Sequence, residues 1–177
     1  MEIVIQVIWL LLPAAVANIC PVIFRFLPIL NYPVDFGKTF NGKPILGRHK
    51  TYRGFLVGIL GGILTAQAQK ALYPIMEAYS IVDYSQINIF IFGFALSASA
   101  LLGDTAKSFL KRRLNIAPGK PWIPFDQIDW IVGSLIAASF WVTLNLSIIV
   151  VGIFVLGTLH FILNLIGYAT GLREENL

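Results

Sequence analysis

Long apolar stretches without a charged residue alternate with polar clusters along this chain. Residues 3–24, 54–69 and 84–103 are charge-free over 22, 16 and 20 positions, and residues 130–172 add 43 more. A membrane-spanning helix needs about 20 mostly apolar residues. The last stretch would extend about 65 Å as one helix, twice the hydrocarbon thickness, so we expect it to fold back at residues 145–147. The pattern predicts an all-α integral membrane protein with five transmembrane helices.

The five spans form one polytopic membrane domain over residues 1–177. We place them at about 3–24, 54–73, 84–103, 127–145 and 147–169. Two polar loops, at about 25–53 and 104–126, connect spans one to two and three to four. The first segment lacks the basic start and small-residue cleavage site of a signal peptide, so we expect it to remain in the protein.

Composition supports a membrane environment. The chain is 57% hydrophobic and only 12% charged, with a mean hydropathy of +0.78, whereas a soluble domain carries about a quarter charged residues. Its single cysteine, Cys20, excludes an internal disulfide framework and a cysteine zinc cluster. Nothing in the sequence favours a nucleic-acid partner.

Basic residues are concentrated in the two loops, and this asymmetry predicts the orientation. Of the 13 Lys and Arg residues, 12 fall in the loops or the C-terminal tail, where Arg173 lies, and Lys70 alone falls on the other side. Short loops rich in Lys and Arg stay in the cytoplasm. We therefore expect a multi-pass protein of the cell membrane, with its N-terminus outside and with its C-terminus and both charged loops in the cytoplasm.

The segment GDTAKSFLKRR extends span three into the second loop. At 100° per residue, a continuing helix places Asp104, Lys107, Ser108 and Lys111 on one face, and Arg113 lies on the opposite face. The same face meets small residues deeper in the span, which indicates either helix packing or a path for a lipid chain.

A second acidic segment, WIPFDQIDW, opens span four. Asp126 and Asp129 are three residues apart and share a face. Favourable charge at a helix N-terminus explains Asp126. Asp129 enters the bilayer between Ile128 and Trp130, where a carboxylate is costly without a partner or a metal, so we interpret it as a functional residue.

Three carboxylates at one membrane depth, among cations, predict a site for Mg²⁺ and phosphates. Mg²⁺ prefers oxygen ligands and usually takes one or two protein carboxylates, and Asp104, Asp126 and Asp129 are the candidates. Lys and Arg bind phosphate charge. The first loop offers further cations that suit either a nucleotide or lipid headgroups, namely Lys38, Lys43, Arg48, Lys50 and Arg53. Asn18, between Pro13 and Pro21, predicts a broken helix that lines a cavity.

These motifs together resemble a known enzyme family. Ser108-Phe-Leu-Lys111-Arg112 followed by Asp126-Gln-Ile-Asp129 is similar to the S-x-x-K-R…D-x-x-D core of cytidylyltransferases that make CDP-activated lipids. With the PVDFGKTFNGKPILGRHKTYRG loop, the chain resembles the archaeal CDP-archaeol synthase family. It lacks the His-Gly-Gly of the bacterial relatives before the aspartates, and it carries Gln127 where they have Arg, which favours the archaeal branch.

The resemblance implies an enzyme that joins CTP to an unsaturated isoprenoid ether-lipid phosphate, 2,3-bis-O-geranylgeranyl-sn-glycerol 1-phosphate, with Mg²⁺. It implies catalytic roles for Asp104, Lys107, Lys111, Arg112, Asp126 and Asp129. Nucleotide-binding roles would fall to Asn18, Ser108 and five basic residues of the first loop, Lys38, Lys43, Arg48, Lys50 and Arg53. The alternatives are an ester-lipid CDP-diacylglycerol synthase and a small membrane transporter or scaffold.

Overall fold

The structure is a computed structural model that describes residues 1–117 and 120–169, so Arg173 lies outside the described part of the chain. Six α-helices form a bundle in the described part of the chain, and the first loop contains a small hairpin. The helices are α1 (Glu2–Ile23), α2 (Tyr52–Met76), α3 (Ile89–Arg113), α4 (Phe125–Ala138), α5 (Leu146–Val151) and α6 (Gly157–Ala169). A 3₁₀ turn (Glu77–Tyr79) follows α2, and a π-helical segment (Gly152–Leu156) joins α5 to α6. The hairpin pairs β1 (Thr39–Phe40) with β2 (Lys43–Pro44).

Four helical stretches of the described chain are long and apolar enough to cross a membrane: Glu2–Ile23, Tyr52–Tyr79, Ile89–Arg113 and Leu146–Ala169. The predicted fourth span is instead a helix of 14 residues, about 21 Å long. It ends in successive turns after Ala138, where Phe140 N donates to Ala137 O and Trp141 N donates to Ala138 O.

Two further boundaries differ from the sequence-based expectation. The third helix begins at Ile89 instead of residue 84, because the Asn88 side chain caps it by accepting hydrogen bonds from Phe90 N and Ile91 N. It then continues to Arg113, through residues that were expected to form a loop. This continuation places Asp104 and Lys107 on one face of the helix. The first helix is continuous although Pro13 and Pro21 lie within it, so the expected break near Asn18 is absent.

Small residues allow α1, α2 and α3 to pack closely. A Cβ at Gly58 would lie 2.7 Å from Ala17 O, and a Cβ at Gly62 would collide with the Ser97 side chain. The small residues on this face of α3 and the glycines of α2 therefore serve helix packing, because small residues let helix backbones approach each other in a membrane.

The first loop is a folded structure attached to α3. Asp35 accepts hydrogen bonds from the backbone N–H groups of Gly37, Leu46 and Gly47 at 2.9, 2.9 and 3.3 Å. Partial burial would raise the pKa of Asp35, but these hydrogen bonds outweigh it and lower the pKa below its ordinary value. The loop backbone is thus fixed around a charged carboxylate.

Candidate active site

The crossing of α3 and α4 brings together the acidic residues of the two helices. A Cβ at Gly103 would collide with the backbone carbonyl of Asp129, and a Cβ at Gly133 would collide with that of Ser99. Only glycine permits this approach at both points. Because Asp104 follows Gly103 directly, the close crossing places its carboxylate beside that of Asp129.

Lys107 lies at the centre of the acidic cluster. Its Nζ is 3.2 Å from Asp104 Oδ1, 2.9 Å from Asp126 Oδ1 and 2.7 Å from Asp129 Oδ2. Lys50, from the first loop, pairs with the other oxygen of Asp104. The side chain of Asp129 is 7% exposed and that of Lys107 14% exposed, so one largely buried ammonium group contacts three carboxylates from two helices.

Asp126 is further fixed from both sides. Its oxygens lie 3.1 and 3.0 Å from Lys111 Nζ, and Oδ2 accepts a hydrogen bond from Trp122 N. Lys111 Nζ also donates to Lys120 O. Lys111 thus ties the end of α3 to the segment that precedes α4.

A cavity of about 580 Å³ opens at this end of the bundle. Three aspartates line it together with basic side chains from the first loop, from α3 and from the segment before α4. Of the residues predicted from sequence, the lining includes Asn18, Arg48, Lys50, Arg53, Asp104, Lys107, Ser108, Lys111, Arg112, Asp126 and Asp129. The structure therefore brings most of the candidate residues to one place.

Two of the predicted nucleotide-binding residues do not line the cavity. Lys38 is exposed in the loop, and Lys43 Nζ donates to the backbone carbonyl of Arg113 at 3.3 Å. Arg113 in turn donates to the carbonyl oxygens of Phe40 and Pro44. Lys43 and Arg113 thus attach the hairpin to the end of α3 instead of facing the cavity.

Sequence reasoning missed several lining residues. Arg25, Lys120, His160 and Asn164 also face the cavity. Arg25 and Lys120 belong to the loop cations that the charge pattern had located. His160 and Asn164 lie in α6, in an apolar span, and their polarity within that span was the available signal.

The donor set of the aspartates fits a hard divalent cation. No group of three or more His, Cys, Asp or Glu side chains in the described chain is arranged ready to hold a metal ion, because the three carboxylates surround Lys107. Mg²⁺ takes only one or two protein carboxylates and completes its shell with water and phosphate oxygens. Asp129 Oδ2 is buried and contacts the Lys107 ammonium group at 2.7 Å. A metal ion bound at this oxygen would take the place that the ammonium group occupies in this structure.

Fold and site together define a multi-pass membrane protein with a charged cavity among its helices. The chain matches the family of CarS-like CDP-archaeol synthases over residues 1–176. The CDP-archaeol synthase of Archaeoglobus fulgidus is 35% identical over 181 residues, with 98% of each chain covered. That of Methanocaldococcus jannaschii is 35% identical over 169 residues, covering 94% of this chain and 93% of the relative.

A solved structure of an intramembrane enzyme for archaeal membrane lipid biosynthesis is also similar. It has a TM-score of 0.72 and 30% sequence identity, covering 89% of this chain and 92% of that one. The chain belongs to the CDP-archaeol synthase family. It is accordingly an enzyme, a CTP-dependent cytidylyltransferase of the membrane.

Proposed function

We propose that this enzyme transfers the cytidylyl group of CTP to an unsaturated isoprenoid ether-lipid phosphate, 2,3-bis-O-geranylgeranyl-sn-glycerol 1-phosphate. The products are CDP-archaeol and pyrophosphate, which serve polar lipid synthesis. The observation that carries the proposal is the cluster of Asp104, Asp126 and Asp129 around Lys107 in a cavity lined by cations. Membership of the CDP-archaeol synthase family supports the same reaction.

The reaction needs no protein nucleophile. An oxygen of the lipid phosphate attacks the α-phosphorus of CTP in line, and the bond to the bridging oxygen of the β-phosphate breaks to release pyrophosphate. Both substrates are polyanions that repel each other in the absence of compensating charge. Catalysis therefore rests on positioning and on neutralising charge.

The cations of the cavity divide into two groups around the aspartates. Arg48, Lys50 and Arg53 come from the first loop and the start of α2, and Lys111 and Arg112 come from the end of α3. We assign the triphosphate of CTP to the space between these groups, because it is bounded by the polar loops. Asp104, Asp126 and Asp129 would hold Mg²⁺, which supplies neutralisation of the charge that develops on the leaving pyrophosphate.

The orientation follows from the charge distribution. The two basic loops meet at one end of the bundle, as the Lys50–Asp104 and Lys111–Asp126 ion pairs indicate. Under the positive-inside rule this end is cytoplasmic, which puts the N-terminus outside and the active site where CTP is present. In this arrangement the short α4 is the fourth of five spans in chain order. The segments that flank it complete its passage through the membrane.

The test uses purified protein with radiolabelled CTP, Mg²⁺ and one of two lipids. One lipid is the geranylgeranyl ether phosphate and the other is an ester phosphatidic acid. We expect label in the lipid phase with the ether substrate, and loss of transfer when Mg²⁺ is chelated. Equal or better transfer to the ester lipid would favour a CDP-diacylglycerol synthase, and absence of lipid-soluble label with both lipids would contradict the proposed reaction.

A further inference from the structure

Two polar side chains of α6 face the cavity but have no role in the scheme above. His160 and Asn164 are one helical turn apart, and both line the cavity. Asn164 is 9% exposed, so its amide is buried where α6 lines the cavity. The His160 ring packs against that of Trp130, with centroids 5.9 Å apart, so His160 lies beside the turn of α4 that carries Asp129.

The surrounding span is otherwise suited to lipid. Leu159, Leu163 and Ile166 are 43%, 43% and 52% exposed, and α6 packs against α4. A polar residue within such a span is costly unless it faces a cavity or a partner. Asn164 therefore belongs to the part of the cavity wall that α6 contributes, on a helix whose other side chains face the bilayer.

The π-helical segment at Gly152–Leu156 explains how the pair reaches this wall. Ile148 and Gly152 are buried against the bundle. In a regular α-helix, His160 and Asn164 would point about 120° and 160° away from Ile148. The i→i+5 bonding of a π turn accommodates about one extra residue and turns the following helix back by about 100°. Both side chains then come within about 60° of the buried face.

We infer that His160 and Asn164 hold the glycerol-phosphate headgroup of the lipid substrate. This inference rests on the proposed function. A headgroup that enters from the bilayer meets this wall first, and the imidazole and amide N–H groups donate hydrogen bonds to its phosphate oxygens. An amide donor does this without placing an uncompensated cation beside hydrocarbon. The loop cations remain available to CTP. CTP is thus bound by cationic side chains, and the lipid phosphate is bound by the hydrogen-bond donors of α6.

Two-substrate kinetics in mixed lipid–detergent micelles test the assignment. We expect His160→Leu and Asn164→Leu each to raise the KM for the lipid phosphate about tenfold, which corresponds to the loss of a hydrogen bond to a charged group. The KM for CTP, and the Kd for CTP without lipid, should stay at wild-type values. Thr158→Val is the matched control, because Thr158 is an exposed polar residue of the same helix, and we expect it to change neither constant.

Asn164→Asp keeps the test decisive if a leucine variant lowers the melting temperature of the purified protein. It is isosteric, and its charge repels a phosphate, so it should raise the lipid KM further than leucine does. An unchanged lipid KM in the folded variants would overturn the inference. So would a raised KM for CTP or a gain of UTP as a substrate, since these would assign the pair to the nucleotide. If the wild-type enzyme transfers label to no lipid phosphate, the proposed function itself fails.

Discussion

Lys107 makes the burial of three carboxylates in this bundle possible. Its ammonium group contacts Asp104, Asp126 and Asp129 within 3.2 Å. A charged group at membrane depth needs a partner, and here one lysine serves all three aspartates. The i,i+3 spacing of Asp104 and Lys107 was predictable from sequence. The contact with Asp129 was not, because it depends on where α4 crosses α3.

Asp129→Asn tests the acidic site at the residue scale. The substitution preserves the shape of the side chain and removes its charge, so we expect turnover of CTP to fall about a hundredfold or more while the protein remains folded in the membrane. Steady-state transfer of labelled CMP to lipid and a thermal melt measure the two properties. Asp83→Asn is the control, since Asp83 is exposed in the segment between α2 and α3, at the opposite end of the bundle. Wild-type turnover in Asp129→Asn would remove this residue from the site.

Arg113 shows where reasoning from helical phase is incomplete. The sequence places it on the face opposite Asp104, and it indeed does not line the cavity. That position suggests a dispensable residue, yet its guanidinium group binds the carbonyl oxygens of Phe40 and Pro44 and lies 5.4 Å from the Phe40 ring centroid. The hairpin partner could not be inferred from α3 alone, because it comes from a loop without a periodic pattern.

At the scale of elements, glycine positions determine which helix surfaces meet. Gly103 and Gly133 mark the contact of α3 with α4, and Gly58 and Gly62 mark the contacts of α2 with α1 and α3. The Gly58 and Gly62 ladder was recognisable from its four-residue spacing. The Gly103–Gly133 contact was not, because neither glycine has another glycine four residues away and only the folded crossing relates them.

The crossing can be tested by adding one methyl group. Gly133→Ala would place a Cβ against the Ser99 carbonyl, whereas Gly152→Ala would place one at an ordinary 3.6 Å from Val7 Cγ1. Both variants gain the same helix propensity. We therefore expect Gly133→Ala to be less stable than Gly152→Ala by about 1–3 kcal/mol and to lose turnover as Asp129 moves from Asp104. Thermal melting and the lipid-transfer assay measure these effects, and equal behaviour of the two variants would contradict the close crossing.

At the scale of the whole molecule, the hydrophobic pattern predicted a membrane bundle, but not the length of every helix. The predicted spans located the first two helices within about three residues of their observed bounds, whereas α3 begins about five residues later and ends about ten residues later than predicted. The 43-residue stretch was harder to divide, because apolar residues continue through the turn that ends α4 at Ala138. The π-helical segment also left no mark in the hydrophobic pattern, so the inward direction of His160 was not predictable.

Cysteine accessibility tests the orientation of the bundle. In a Cys20→Ser background, Lys38→Cys places a thiol in the first loop, and Ser85→Cys places one in the segment before α3. Both positions are exposed. The positive-inside rule predicts that a membrane-impermeant maleimide labels Lys38→Cys only in inside-out vesicles and Ser85→Cys only in right-side-out vesicles. Labelling of both from one side would contradict the bundle topology, and the reverse pattern would contradict the orientation.

The lysine at the centre of the acidic cluster also supplies positive charge to its carboxylates when no metal ion is bound. Many metalloproteins unfold when chelated, because their ligands repel one another once the ion has left. Here Lys50, Lys107 and Lys111 already form ion pairs with the three aspartates of the cluster. EDTA should therefore stop turnover yet leave the melting temperature unchanged, and a large drop in melting temperature would contradict this. Under the proposed dependence on Mg²⁺, the enzyme would stay folded in the membrane without the ion and regain activity when the ion is added.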